Sequence, residues 1–369
     1  MPVSIGVQWA TKQEAIDCRK GDINLAFCDG CGFIWNSSFD LDRLEYSKRY
    51  DNSLDYSPVF ERYARELANR LIKTYGIQNK HVVELGSGKG HFLALLCELG
   101  NNSGIGFDPS FQGERIKTPA ANRITFINDF YSEKYTSHHG DLVCCRHVFE
   151  HVPTPVEFLN MVRRTIGDQK DTVVYFEVPN VRLILERLSV WDVIYEHCSY
   201  FSQESLANVF QRCGFQLLDL RDSYEGQFLS VDTTLNPNGK QTISPTTDLN
   251  SLKQLVSRFR QETNQKWAEW RSHLEDFNAK QFRIVIWGGG AKTVGFVNML
   301  KITDAIPYVV DINPHKQGMH IAGTGQKIVS PEFLKDYKPD VVILMNPIYR
   351  REVEGQLAKL GIRPRLQLA

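Results

Sequence analysis

A strand that runs straight into three glycines at alternate positions, and from them into a helix, leaves few folds open to this chain. The run is Val82-Val83-Glu84-Leu85-Gly86-Ser87-Gly88-Lys89-Gly90-His91-Phe92. Glycine suits such a turn because the backbone bends sharply and a ligand must approach it closely. Asp108 follows about 20 residues later, at the end of the next strand, where a carboxylate can take both hydroxyls of a ribose.

The surrounding pattern fits a parallel sheet covered on both faces. Strands are expected over 81–85, 103–107, 124–127, 141–145 and 172–177, with helices over 91–99 and 155–166 between them. A helix is expected from Ser57, a good N-cap, with Pro58 in its first turn and Gly76 after Tyr75. The 236–250 stretch, rich in Pro, Asn, Thr and Gly, reads as a linker. A helix of about 28 residues follows (251–278), spanning roughly 40 Å. A second α/β unit starts with strand 282–287, a glycine loop at Gly288–Gly290 and helix 291–300, and continues with strands 306–311 and 340–345. The expected divisions are a Cys-containing segment over 1–56, a nucleoside-binding α/β domain over 57–235, the linker and long helix over 236–280, and a second Rossmann-like α/β domain over 281–369. The lead-in itself reads as polar and irregular.

Bulk properties narrow the partners. The 369 residues carry 43 Lys+Arg and 43 Asp+Glu. This balance lacks the basic excess of a nucleic-acid binder. No run of about 18 apolar residues predicts a membrane span, and no secretory leader is expected. The eight cysteines are scattered, which suits reduced thiols and a cytoplasmic setting better than a disulfide framework.

Two ligands compete for the first glycine loop. Nicotinamide dinucleotides prefer G-x-G-x-x-G, with the pyrophosphate on the helix N-terminus. Here the spacing is G-x-G-x-G behind the acidic Glu84. S-adenosylmethionine (SAM) has no phosphate but carries a sulfonium and an amino group, which suit a carboxylate, so the loop favours SAM. A purely structural turn is the plainer alternative. Asp129, near the end of the following strand, is the candidate for the adenine amine.

This loop, together with Gly106-Phe107-Asp108-Pro109-Ser110, resembles class I SAM-dependent methyltransferases. That likeness implies that Glu84, Gly86, Gly88 and Gly90 line the methionine part, Asp108 binds ribose and Asp129 binds adenine. Two further segments, Trp191–Phe201 and Val309–Gly318, with the Cys28–Cys31 pair, resemble a three-part family. Its members have an N-terminal zinc-binding segment, a central SAM domain and a C-terminal Rossmann-like methyltransferase domain. The best-known members are similar to nucleotide-sugar C-methyltransferases, which methylate carbon beside a ketone.

Such chemistry needs a base, because carbon must lose a proton before it attacks a methyl group. The resemblance assigns that role to His197, with Glu196 as companion carboxylate and Tyr195 and Tyr200 on the enolate side. The family pattern is Tyr-His-Glu-His, whereas this chain has Ile194-Tyr195-Glu196-His197. His147 and His151 lie four apart, but a strand end leading into Pro153 is not the helix of an H-E-x-x-H zinc site. They are read as cleft residues, His147 beside SAM and His151 and Asn180 beside the acceptor. A satisfied structural histidine is the alternative for His197.

The remaining candidates are a thiol set and a second loop. Cys28-x-x-Cys31 has zinc-knuckle spacing, yet only Cys18 precedes it, so the four-ligand set is short and a lost zinc site is the simpler reading. Gly288–Thr293 misses the phosphate-loop spacing G-x-x-x-x-G-K-[ST]. It still offers Lys292, and Lys316 beyond it, to an anionic part of the acceptor; a packing loop is the alternative. The expected function is therefore methyl transfer from SAM to carbon beside a carbonyl of a nucleotide-linked keto-sugar or similar small molecule. O- or N-methylation, a dinucleotide oxidoreductase and a non-catalytic SAM-binding protein stand as alternatives. The oligomeric state is not legible.

Overall fold

The computed structural model describes residues 1–44, 49–113, 116–235, 243 and 248–369. Most of the stretch read as a linker, 236–242 and 244–247, lies outside them. Its last residues, Leu249 and Asn250, already belong to the long helix Leu249–Ala279, whose N-cap Asp248 accepts a hydrogen bond from Ser251 N.

Local signals place the first helix, Pro58–Tyr75. The Ser57 side chain accepts from Phe60 N, proline occupies the first turn, and Gly76 closes the helix at φ 65°. Phe60, Ala64, Leu67, Ala68, Leu71 and Ile72 form its buried stripe. The helix packs on His91–Leu99 and on one face of a seven-stranded sheet.

Across that sheet the order is Ile124–Ile127, Ser103–Phe107, His81–Leu85, Leu142–Arg146, Val173–Pro179, Phe228–Thr234 and Gln216–Ser223. The first five strands are parallel. The last two pair antiparallel, 228–234 with 173–179 and with 216–223. The strand order reverses between His81–Leu85 and Leu142–Arg146, and open α/β sheets bind ligands at the carboxyl ends of strands at such a switch point.

A second sheet is wholly parallel, in the order Lys327–Val329, Tyr308–Val310, Ile284–Trp287, Val341–Leu344 and Arg365–Leu368. It too reverses beside its glycine loop. One face is covered by a core in which Trp270 and Phe277 of the long helix meet Phe296 and Val297 of the helix Ala291–Met299. The same core takes in Ile5, Cys18, Trp191 and Ile194. Apolar burial thus ties the two sheets together through the 190–194 segment and the lead-in.

The lead-in is not the irregular segment its polarity suggested. Leu25–Phe27 pairs with Ile34–Asn36, which in turn pairs with Ser199–Tyr200, giving a small antiparallel sheet. Val3, Ile5 and Val7 are buried. His320 N donates to Trp9 O and Gly323 N to Ala15 O, which sew the lead-in to the second α/β unit. The apolar positions at 3, 5 and 7 alternate, but the run is too short to stand out from a polar background.

Close backbone approach sets the seam between the two α/β units. A Cβ on Gly295 would lie 2.5 Å from Trp191 O. Gly295→Ala is therefore expected to force apart the Ala291–Met299 helix and the 190–192 turn, costing about 1–3 kcal/mol. A urea melt followed by tryptophan fluorescence measures it.

Candidate functional site

The carboxyl ends of both sheets open into one cavity of about 1290 Å³. Its first wall is the glycine loop. Gly86, Gly88 and Gly90 all have positive φ (70°, 55° and 86°). A Cβ on Gly86 would meet Val148 at 2.1 Å, and one on Gly90 would meet Ile116 at 2.2 Å, whereas the space beside Gly88 is open. The first and third glycines are thus required by packing, and the middle one leaves room for a ligand.

Glu84 lines the cavity with only 3% of its surface exposed. Its Oε2 is buried without a hydrogen-bond partner. Burial pushes its pKa up to about 8, against the opposing pull of the Arg146 guanidinium. An unpartnered buried carboxyl oxygen beside an open glycine fits a cationic group. Asp108 also lines the cavity. Gly88 N donates to its Oδ2 at 2.8 Å, and the Ser110 N and Oγ donate to its Oδ1 at 2.7 and 2.6 Å. The carboxylate is thereby held rigid at the mouth of the glycine loop.

Asp129 lies elsewhere. It is not among the cavity-lining residues, and its carboxylate is taken up by Lys134 and by Tyr135 at 2.8 Å. The same turn sends Phe130 and Tyr131 to the cavity instead.

A histidine cluster lines the same cavity, its 147–151 segment adjoining the loop through Val148. His147, Glu150, His151 and His197 all line the cavity. His147 adopts φ 53°, a conformation rare for a non-glycine residue. Its Nε2 sits 3.1 Å from Glu177 Oε1, and its Nδ1 3.8 Å from Glu150 Oε1. Burial opposes the charge on His147, but these two carboxylates outweigh it and raise the pKa to about 9. His197 shows the reverse. Burial, reinforced by the neighbouring His151, drops its pKa to about 3, so its ring is neutral at physiological pH. The His151 and His197 rings meet edge to face with centroids 4.9 Å apart.

The other three residues placed beside His197 by resemblance point away from the cavity. Glu196 Oε1 accepts from Ile5 N at 2.5 Å and Gly6 N at 3.4 Å, and Tyr50 OH donates to its Oε2 at 2.9 Å. Tyr195 OH accepts from Asp40 N at 2.9 Å, and its ring fills the space beside Gly21. Tyr200 OH accepts from Ile194 N and donates to Ile194 O. None of the three lines the cavity. They anchor the lead-in and brace the 194–200 turn, because the buried amides at 5 and 6 need an acceptor.

Asn180 is at the cavity wall as expected, where it caps the helix Val181–Glu186 and donates to Gly226 O at 3.0 Å. On the opposite wall Lys292 is ion-paired with Asp192, and Lys316 lies 3.8 Å from Asp311 Oδ2 and donates to Gly289 O at 3.4 Å. Both lysines line the cavity with their charge already engaged.

The cysteines do not assemble into a zinc set. Cys28 and Cys31 share the hairpin turn between Leu25–Phe27 and Ile34–Asn36, while Cys18 is buried in the core beside Ile5 and Trp191. Among the described residues no group of three metal-ligating side chains includes a cysteine. A hydrogen bond from Cys31 holds the Cys28 thiol below its ordinary pKa, and burial raises that of Cys31.

Beneath the histidines lies a network that sequence reading missed. Arg146 donates from Nε and Nη2 to Glu177 Oε1 at 3.0 and 2.8 Å, and its guanidinium sits 4.2 Å from the centre of the Phe92 ring. The Tyr63 and Tyr175 hydroxyls donate to Glu177 Oε2. Burial disfavours the Glu177 carboxylate, yet Arg146 and His147 hold its pKa far below the usual range. The available signal was one charged residue in each of two apolar strands, Leu142–Arg146 and Val173–Pro179, which an ion pair explains.

Comparison with known proteins agrees with this architecture. Residues 58–220 match the family described as methyltransferase domain. Residues 246–363 match the C-methyltransferase C-terminal domain. The C-methyltransferase NovU of Streptomyces niveus is 28% identical over 167 residues, covering 43% of this chain and 38% of that protein. The match thus spans well under half of the curated relative. Among solved structures, magnesium protoporphyrin IX methyltransferase from Synechocystis PCC 6803, with bound S-adenosylhomocysteine, overlaps at TM-score 0.39 and 14% identity, covering 51% of this chain and 91% of that one. A SAM-dependent methyltransferase from Aquifex aeolicus overlaps at TM-score 0.36 and 12% identity, covering 50% and 100%. No helix among the described residues is long and apolar enough to cross a membrane. The chain thus joins a stretch that matches a methyltransferase domain to one that matches a C-methyltransferase C-terminal domain.

Proposed function

We propose that this protein transfers a methyl group from SAM to a carbon beside a carbonyl of a small acceptor, of the nucleotide-linked keto-sugar class, with His197 as proton acceptor. One observation carries the reading: a cavity-facing imidazole whose Nδ1 lacks a partner stands in the same chamber as a glycine cradle led by an unpartnered carboxyl group. When bound, SAM supplies an electrophilic methyl on a sulfonium.

The chain's own residues do the rest. Glu84 and the open face at Gly88 receive the cationic end of the donor. Asp108, pre-set by Gly88 N and Ser110, takes the ribose hydroxyls. Phe130, exposed at the cavity rim, offers an apolar surface to the adenine in the place first given to Asp129. His197 takes the proton from carbon. His151 and Asn180 shape the acceptor side, with Lys292 and Lys316 on the far wall. An anionic acceptor group draws on Lys292 by exchange with Asp192.

Two experiments test this. Because the Glu84 carboxyl is raised to about 8, it is mostly neutral at pH 7, and a cationic ligand favours its ionised form. SAM affinity is therefore expected to rise on the order of tenfold between about pH 6.5 and 8.5, and calorimetry should register proton release. Glu84→Gln should flatten that slope; a flat slope in the unmodified protein removes Glu84 from the donor site. His197→Gln should cut methyl transfer by about 100-fold or more while SAM affinity stays near the starting value. Full turnover in that variant would turn the assignment toward O- or N-methylation by another base.

A further inference from the structure

The cavity holds a constellation that proton transfer to His197 does not use. Ligand atoms of Glu150, His151 and His197 all lie within 4.8 Å of one another. We propose that these three side chains form a binding site for a divalent first-row transition metal, facing the acceptor half of the cavity.

Each ligand is presented by the fold in the way a metal needs. Glu150 is 2% exposed, and its Oε2 is buried without a hydrogen-bond partner. Its Oε1 is the atom turned to His147. His151 Nδ1 lies 2.9 Å from the Glu196 carbonyl oxygen. A carbonyl accepts, so Nδ1 carries a proton and Nε2 is the nitrogen left for a metal. That backbone bond is the kind of outer contact that fixes the tautomer and aim of metal-binding histidines. His197 Nδ1 is buried without a partner. An imidazole nitrogen and a carboxylate oxygen that are both buried and without partners, in one cluster, cost free energy unless something fills the gap.

The donor set argues for the class of ion. Two imidazoles and one carboxylate suit zinc, iron or cobalt better than magnesium or calcium, which prefer all-oxygen surroundings. Bonds of about 2.1 Å in a tetrahedral set bring ligand atoms to about 3.4 Å apart, so the side chains close in by roughly 1 Å. Three protein ligands leave a coordination position open toward the cavity. A carbonyl oxygen of the acceptor suits that position, where a Lewis acid polarises the bond. The residues come from two distant segments, 150–151 and 197, so the H-E-x-x-H spacing does not describe the site.

The proposal goes beyond the proton-acceptor reading. Metal and proton compete for the His197 lone pair, so its test is made without donor or acceptor. The full-length protein, stripped with chelator, is titrated with Co2+ and followed by visible d–d absorption. One equivalent should bind at micromolar concentration with bands of nitrogen and oxygen ligation. Glu150→Gln and His197→Gln should each weaken binding by at least about tenfold, and SAM affinity reports that each variant is folded. The Cys28→Ser/Cys31→Ser double variant should bind Co2+ like the unmodified protein. The proposal fails if the protein takes up no stoichiometric Co2+, if both cavity variants bind it unchanged, or if the cysteine variant abolishes binding. None of those outcomes bears on the His197→Gln turnover measurement made on metal-free protein.

Discussion

A buried ion pair between Arg146 and Glu177 underlies the whole active chamber. It joins the carboxyl ends of two adjacent parallel strands, where both charges are almost wholly removed from water. Removing one partner of such a pair costs about 3–5 kcal/mol, because the other charge is left unpaired. Here the pair is also surrounded by Tyr63, Tyr175 and His147, so every oxygen of Glu177 has a donor or cation beside it. From Glu177 the order passes to His147, and from His147 to Glu150, which stands under His151 and His197. That chain favours a charged His147 and an ionised Glu150, while burial leaves His197 neutral.

The second constraint is the placement of one sheet against the other. Both sheets reverse strand order beside a glycine loop, and both loops open on the same cavity. Their opposition is held by the apolar core that packs Trp191, Ile194 and the lead-in onto the second sheet, and by polar contacts across the gap. Tyr224 OH donates to Tyr349 OH at 2.8 Å, Asn346 Nδ2 to Gln227 Oε1 at 2.7 Å, and Ser57 Oγ to Glu352 Oε2 at 2.6 Å. The two glycine loops are alike in one further respect. Gly88 N donates to Asp108, and Gly289 N donates to Asp311, each at 2.8 Å. In the second case the aspartate is also neutralised by Lys316, so the two loops present different charge to the cavity.

Much of the scaffold was legible from residues alone, and the reason is local. The helix Pro58–Tyr75 carries its own cap, proline and terminal glycine, and the strands of the first sheet are short apolar runs bounded by turns. The final antiparallel strands, Gln216–Ser223 and Phe228–Thr234, escaped because 216–223 mixes charged and apolar residues and is exposed along much of its length. In the candidate site the glycine loop was readable because positive φ and close approach leave a mark on residue type. The direction of a side chain leaves none. Tyr195, Glu196 and His197 are neighbours in the chain, yet only His197 enters the cavity, since the first two are claimed by Asp40 and by the amides of Ile5 and Gly6.

The residue string by itself determined the alternation of strands and helices, the turn at Gly86–Gly90 and the carboxylate that leads it, because backbone conformation and short-range burial are written in nearby residues. Only the tertiary structure decided which charges face one another. Arg146 meets Glu177, Glu196 meets the lead-in, and Glu150 gathers with two histidines from separate segments. Electrostatic partnership depends on distance in space and on exclusion of water, and neither is a property of sequence separation.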